Sequence, residues 1–260
     1  MKTFALAATL LAGTIVAGPV AAQSVAALVG DDTLAIVDVG MKKVTKSMKI
    51  TGITGKLHGI DVRPADGMLY GLVSDGSIVT IDVMTGKATA KSKLDNMLAA
   101  GVSGTIDFNP VADRMRVIGS DGSNLRVNVD DGKVAVDGKL KFADTDMHKG
   151  ETPKVVAAAY TNSVKGAKET VLYDIDATIG GLLKQAPPND GILNAVGKLG
   201  VTATAWAFDI ATTGENQNTG WLMGGDTLYS VDLATGKATS IGKIAGISGV
   251  VHKITVLPKM

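Results

Sequence analysis

Three aspartates recur in one kind of setting: Asp61 in HGIDVRP, Asp107 in GTIDFNP and Asp209 in WAFDIAT. Each follows an apolar residue in a short run rich in β-branched and aromatic side chains, the pattern of a strand. Three carboxylates brought together would offer an all-oxygen site for a hard divalent cation such as Ca²⁺. His58 and His252 stand in two comparable runs and would add nitrogen ligands for a transition metal. Tyr160 and Arg63, on further runs of this type, complete the set that would line a shared ligand site. The competing reading is structural: a carboxylate on a repeated strand caps the strand end or accepts N–H bonds from the neighbouring unit. Recurrence favours the structural role. Whether the three meet depends on strand register, because a slip of one residue turns each to the opposite face.

A second constellation is the loop Asp144, Asp146, His148, followed by Gly150. It could wrap a cation, but it lacks the DxDxDG order and the terminal bidentate Glu of an EF-hand, so a solvated polar loop is favoured. Arg63, Arg114, Arg116 and Arg126 cluster where lysine otherwise supplies the positive charge. They could grip a carboxylate or phosphate bidentately, or pair with Asp66, Asp113 or Asp121 to tie turns between units, and the pairing is favoured. No GxSxG is present, Ser103 has no His near it in sequence, and the chain has three His and no Cys. Nucleophilic catalysis is unsupported, and thiolate metal sites and disulfides are excluded. GSDGSN and MGGDT are glycine-rich but lie between strand-like runs and open no helix, so they are not phosphate loops.

The elements that must carry these residues are repeats. TGITGKLHGIDVRPADGMLYGLVSDGSIVTIDVMTGKAT is echoed by GTIDFNPVADRMRVIGSDGSNLRVNVDDGK, with Asp61 and Asp107 a step of 46 residues apart. Near the C-terminus GGDTLYSVDLATGKATSIGKI repeats SDGSIVTIDVMTGKATAKSKL, with Asp82 and Asp232 equivalent. A period of about 40–50 residues is the mark of a propeller. Each unit reads as four strands joined by tight glycine turns. Four blades are expected over Leu57–Leu94, Ser103–Phe142, Lys154–Leu199 and Ala203–Ile244. What remains is one inner strand at the C-terminus, Gly249–Leu257, and three at the N-terminus: SVAALVG, TLAIVDV and KVTKSMKI. They complete one more blade, giving an all-β, five-bladed propeller closed by pairing N-terminal strands with the C-terminal one.

Lys2, the uncharged run from Phe4 to Ala17 and the small residues through Ala22 have the layout of a secretory signal peptide. Residues 1–22 are therefore expected to be removed, leaving residues 23–260 as a single periplasmic or secreted domain. The apolar run is shorter than the roughly 20 residues that span a bilayer, so no membrane insertion is expected after cleavage. Basic and acidic residues number 26 and 25, and without Lys2 they balance, with no block or stripe suited to nucleic acid.

GIDVRP, DFNPVADRMRVIGSDGSNLRVN, VVAAAYTNS, LYDID and QAPPNDGILNAVGKLG together resemble the bacterial family known as domain of unknown function 4394, over about Val25–Leu257. The inner strand followed by LYGLV is also similar to the wider YVTN-type propeller repeats. The resemblance implies export and a propeller-like fold, and supplies no activity, substrate or catalytic residue. One departure is AWAFDI, where the family carries a more aromatic GFDF-like strand; the Asp is kept.

The function expected is therefore that of a non-catalytic binding or scaffold propeller, a monomer whose partner is a small molecule, a metal ion or a protein surface. The alternatives are a metal-dependent (Ca²⁺-type) hydrolase or lyase working at the central channel, and an envelope or extracellular protein acting through contacts alone. No cofactor is fixed by the sequence beyond the suggestion of a divalent cation.

Overall fold

A computed structural model describes residues 23–214 and 216–258. The segment expected to be a signal peptide, residues 1–22, lies outside the described residues. The chain forms five sheets of antiparallel strands in a ring. The first blade is β4 (Leu57–Val62), β5 (Leu69–Val73), β6 (Ser77–Ile81) and β7 (Ala88–Lys93). The second is β8 (Gly104–Asn109), β9 (Arg114–Gly119), β10 (Asn124–Val127) and β11 (Val134–Val136). The third is β13 (Val155–Tyr160), β14 (Leu172–Asp176), β15 (Gly181–Gln185) and β16 (Ile192–Lys198). The fourth is β17 (Trp206–Gly214), β18 (Gln217–Gly224), β19 (Thr227–Val231) and β20 (Ala238–Lys243). The closing blade takes its inner strand from the C-terminus, β21 (Val251–Val256), and its other three from the N-terminus: β1 (Ser24–Val29), β2 (Thr33–Asp38) and β3 (Lys43–Lys49).

This arrangement matches the sequence expectation except at the end of the second blade. That blade stops at Val136; the next short strand, β12 (Lys141–Phe142), crosses to the third blade and pairs in parallel with β16 at Ile192 and Leu193. The reason is visible locally. The Pro188–Asp190 turn inserted between β15 and β16 docks on the second blade, Gly138 N–H bonds Asn189 O, and the chain is carried across. No helix among the described residues is long and apolar enough to cross a membrane.

Each blade buries both faces against its neighbours, so the apolar core divides into five clusters, one per seam. The second strands therefore read as continuous apolar runs, LYGLV being buried at every position. The outer strands KVTKSMK, ATAKSK and ATSIGK are largely exposed and rich in lysine, which discourages edge-to-edge pairing with another chain. The glycine of the TGK and DGK turns serves the seams directly. Gly86, Gly132 and Gly236 have φ of +73°, +76° and +77°. A Cβ there would lie 2.6, 1.8 and 2.6 Å from Lys49 O, Lys93 O and Gly197 O of the preceding blade. Glycine is required at these turns for φ and for the close approach alike.

Candidate functional site at the channel mouth

The inner strands β4, β8, β13, β17 and β21 converge at the middle of the ring. Asp61, Asp107 and Asp209 meet there, each offering an oxygen within 4.8 Å of the others, all buried. Their equivalents on the third and closing blades are Ala159 and Thr255, as the bonds they make establish. Phe108 N–H donates to Asp61 Oδ2 at 2.7 Å, Tyr160 N–H to Asp107 Oδ1 at 2.9 Å, and Val256 N–H to Asp209 Oδ2 at 2.7 Å. Val62 N–H donates to Thr255 Oγ1 at 3.3 Å. At four of the five seams, then, a side chain on one inner strand accepts the N–H one position further along the next. The third blade breaks the pattern: Ala159 has no acceptor, and Ile210 N–H turns instead to Asp209 Oδ1 of its own strand.

Lys253 occupies the gap. Its Nζ lies 2.9 Å from Ala158 O, 3.3 Å from Phe208 O and 3.3 Å from Asp107 Oδ2, and the residue is 1% exposed. Its equivalents two residues before the bracing position are Gly59, Thr105, Ala157 and Ala207, none of them long enough to reach across the ring. Thr255 Oγ1 donates to Asp61 Oδ1 at 2.7 Å, so all six carboxylate oxygens have a donor. Burial still disfavours the charges. It pushes Asp61 up to about 7, with the charge of Asp209 adding to the effect and Lys253 opposing it. Asp107 stands well above its ordinary range, through burial first and the charge of Asp61 second. Asp209 is raised by burial against the pull of Lys253.

These donors do not fit a resident calcium. Such an ion needs about six to eight free oxygens at about 2.3–2.6 Å. Here the oxygens are taken by N–H and O–H groups, and an ammonium already supplies the positive charge. The structural reading of the three aspartates, as acceptors for neighbouring blades, describes what they do.

The histidines do not join them. His58 is half-buried against Gly104 of the second blade, where burial holds its imidazole below the usual value, and His252 is exposed. Tyr160 packs in the seam between second and third blades and accepts a bond from Arg116 Nε at 3.2 Å. Arg63 lies in the first-to-second seam, bridging Asp113 at 2.6 Å, Asp130 at 2.9 Å and Asp66 at 3.4 Å, with Tyr70 OH at 3.3 Å. Both leave the expected channel set because their side chains point along a seam.

Asp121 closes its own hairpin on Ser123 instead of pairing with an arginine. Arg116 and Arg126 converge on Asp137 at 2.5 and 2.7 Å. In the 144–150 loop, Asp146 accepts His148 N–H and Ala195 N–H, His148 contacts Glu151 at 3.2 Å, and Asp144 pairs with Lys149 at 3.3 Å. Each is used separately, so the loop is the polar connector that the sequence favoured.

Where the inner strands end, a cavity of about 950 Å³ opens over the ring. Asp61, Asp209 and Thr255 reach it, while Asp107 does not. Its walls combine Ser24, Ser163, Thr212 and Thr213 with Ile210, Val256, Leu257, Pro64 and Pro258, and Lys165 stands on the loop that lines one side. That loop is fixed by Ser163 N–H to Thr212 Oγ1 at 3.0 Å and Asn162 N–H to Asn218 Oδ1 at 2.8 Å.

Residues 33–254 match the family described as domain of unknown function 4394. The chain belongs to this family. No curated protein matches it. Among solved structures, a protein of unknown function from Bacteroides thetaiotaomicron VPI-5482 is 16% identical, with a TM-score of 0.52, over 83% of this chain and 55% of that one. A protein of unknown function from Bacteroides caccae is 13% identical over 92% of this chain and 100% of that one, with a TM-score of 0.47. An auxiliary nutrient binding protein from Bacteroides thetaiotaomicron VPI-5482 is 14% identical over 74% and 53%, with a TM-score of 0.46. At 16% identity the first of these likenesses is one of fold alone. Within this member of domain of unknown function 4394, sequence reasoning missed Lys253 and Thr255. The signal was present in HKITVLP, where a long cation stands at a repeat position that is otherwise small.

Proposed function

We propose that the protein is an exported, non-catalytic binding propeller that takes a small polar molecule at the channel mouth. The observation that carries this reading is the cavity of about 950 Å³ over a floor whose carboxylates are already committed to backbone donors. Its size falls within the range of small-molecule sites. Hydroxyls beside aliphatic walls suit a ligand with both polar and apolar edges, and among the described residues no aromatic ring lines the cavity to stack a sugar or base. Thermal-shift screening of small polar molecules should yield hits that are lost in Thr213→Trp, which fills the mouth from an exposed position. Retained binding in that variant would move the site elsewhere. A turnover activity abolished by each of Asp61→Ala, Asp107→Ala and Asp209→Ala would defeat the non-catalytic reading. Export is tested by intact mass: the periplasmic or culture fraction should contain a chain beginning at Gln23.

A second reading, a metal-dependent hydrolase or lyase at the channel, rests on the approach of the three aspartates to within 4.8 Å, and the donors that already occupy their oxygens count against it. It requires a stoichiometric divalent ion in protein purified without chelator, lost in Asp61→Asn. A protein free of divalent metal would end it.

A further inference from the structure

Among the described residues, four buried side-chain atoms have no hydrogen-bond partner: Asp174 Oδ1 and Oδ2, Gln185 Oε1 and Thr105 Oγ1. All four fall in one seam. Asp174 lies directly across from Ala158 and Leu183, and Gln185 across from Leu172, on the face of the third blade that packs against the second. Thr105 lies on the second blade across from Ile118, which belongs to the apolar cluster of that seam. Asp174 and Gln185 are diagonal neighbours on adjacent strands, a separation of about 7–8 Å that long side chains bridge. Asp174 is 0% exposed and Gln185 1%, so bulk water does not satisfy them.

The repeat shows how unusual these residues are. The positions equivalent to Asp174 are Gly71, Val117, Leu222 and Ala27. Those equivalent to Gln185 are Ile81, Val127, Val231 and Val37. In the other four blades neither position is polar. Arg116 could have paired with Asp174, but its bonds go to Tyr160 Oη, Asn124 Oδ1, Asp137 Oδ2 and Asn189 Oδ1. Gln185 cannot turn its amide to help, because Nε2 is held by Pro188 O at 2.6 Å and that fixes Oε1 inward. The seam therefore holds a carboxylate, an amide oxygen and a hydroxyl, and no hydrogen bond among the described residues reaches any of these four atoms. An orphaned buried polar atom costs about 1–3 kcal/mol.

We propose that the seam between the second and third blades encloses a hard cation, Ca²⁺ or an alkali ion, held by Asp174, Gln185 Oε1 and Thr105 Oγ1. Carboxylate, amide carbonyl and hydroxyl oxygens are the donors such ions select. An anion is opposed by the Asp174 carboxylate and the Gln185 amide oxygen, which only accept, and the Thr105 hydroxyl alone could donate to it. The positive charge of Arg116 is offset by Asp137, which it meets at 2.5 Å, so the ion does not face an unpaired guanidinium.

The test is elemental analysis of protein purified without chelator, with melting curves in tetramethylammonium buffer on adding CaCl₂, KCl or NaCl. One of these salts at about 100 times Kd should raise Tm by at least about 5 °C. Asp174→Leu, which installs the residue of the fourth blade, should abolish both the ion and the response. Gln185→Val should weaken binding about tenfold. Asp61→Asn should leave the response intact, which separates this site from the channel carboxylates. Should Asp174→Leu fail to fold, Gln185→Val alone decides. Overturning results are a protein free of Ca²⁺ whose melting ignores all three salts, or an ion lost with Asp61→Asn but kept in Asp174→Leu.

Discussion

Lys253→Met removes the one ammonium among three buried carboxylates, and its cost can be worked from the bonds it leaves behind. Asp107 Oδ2, Ala158 O and Phe208 O all lose the Nζ donor. Breaking a buried pair by deleting one partner costs about 3–5 kcal/mol, because the other charge is left uncompensated. Methionine fills most of the vacated volume, so little of the loss is packing. The effect must depend on pH. Asp61, Asp107 and Asp209 all have folded pKa values above the unfolded one, so the native state binds more protons and stability falls as pH rises from about 4. For Asp61, moving from 3.8 to about 7 corresponds to at most about 4 kcal/mol lost across that window. Without Lys253 the carboxyls are raised further and the fall is steeper. Urea unfolding at pH 7.5 should show a loss of about 3–5 kcal/mol, shrinking to about half at pH 5 as the carboxyls take up protons. Adding Asp107→Asn should recover part of the loss at pH 7.5. A loss below about 1 kcal/mol, or the same loss at both pH values, would refute the view that Lys253 compensates the aspartates.

Arg63→Met should cost about 2 kcal/mol by chemical denaturation, since it unties the first and second blades; the figure is modest because Asp113 and Asp130 are 37% and 50% exposed. Gly132→Ala should cost more than about 2 kcal/mol, because its Cβ meets Lys93 O at 1.8 Å. Gly225→Ala, at φ +63° in open space, should cost about 1 kcal/mol, and the contrast separates close approach from backbone strain alone. Asp146→Ala should lower stability by about 1–2 kcal/mol through the lost bonds to His148 and Ala195, with the metal content of the purified protein unchanged.

Blade number, strand limits and ring closure were legible because they follow from the local pattern. Glycine turns, apolar runs and complementary terminal fragments recur at a fixed spacing, and few other folds use them. The recurrence of Asp61, Asp107 and Asp209 on inner strands was legible, but whether they meet hung on strand register, and that register brings their oxygens within 4.8 Å of one another. Direction was harder to read. Arg63, two residues beyond Asp61 and just past the end of β4, keeps that face but reaches along the seam to Asp113 and Asp130, while Tyr160, one residue beyond Ala159, faces the preceding blade. The end of the second blade was misread because the PPND insertion acts at a distance, docking on another blade and drawing β12 across. Lys253 was overlooked because the inner strands were compared for what they share.

That contrast bears on how chemistry is found in a repeat protein. A residue that recurs at one position in several blades answers a need every blade has, and Asp61, Asp107, Asp209 and Thr255 all meet it by accepting a neighbour's N–H. A residue that breaks the repeat answers to something local. Lys253 breaks it where Ala159 leaves the ring unbraced, and its bonds to Ala158 O and Phe208 O repair the gap. Asp174 and Gln185 break it together in one seam, and no bond among the described residues repairs the deficit they create. A buried carboxylate without a donor disfavours folding unless something supplies the missing interaction. The first kind of departure is compensated among the described residues and the second is not, which is why the proposed cation is to be sought at the seam of Asp174.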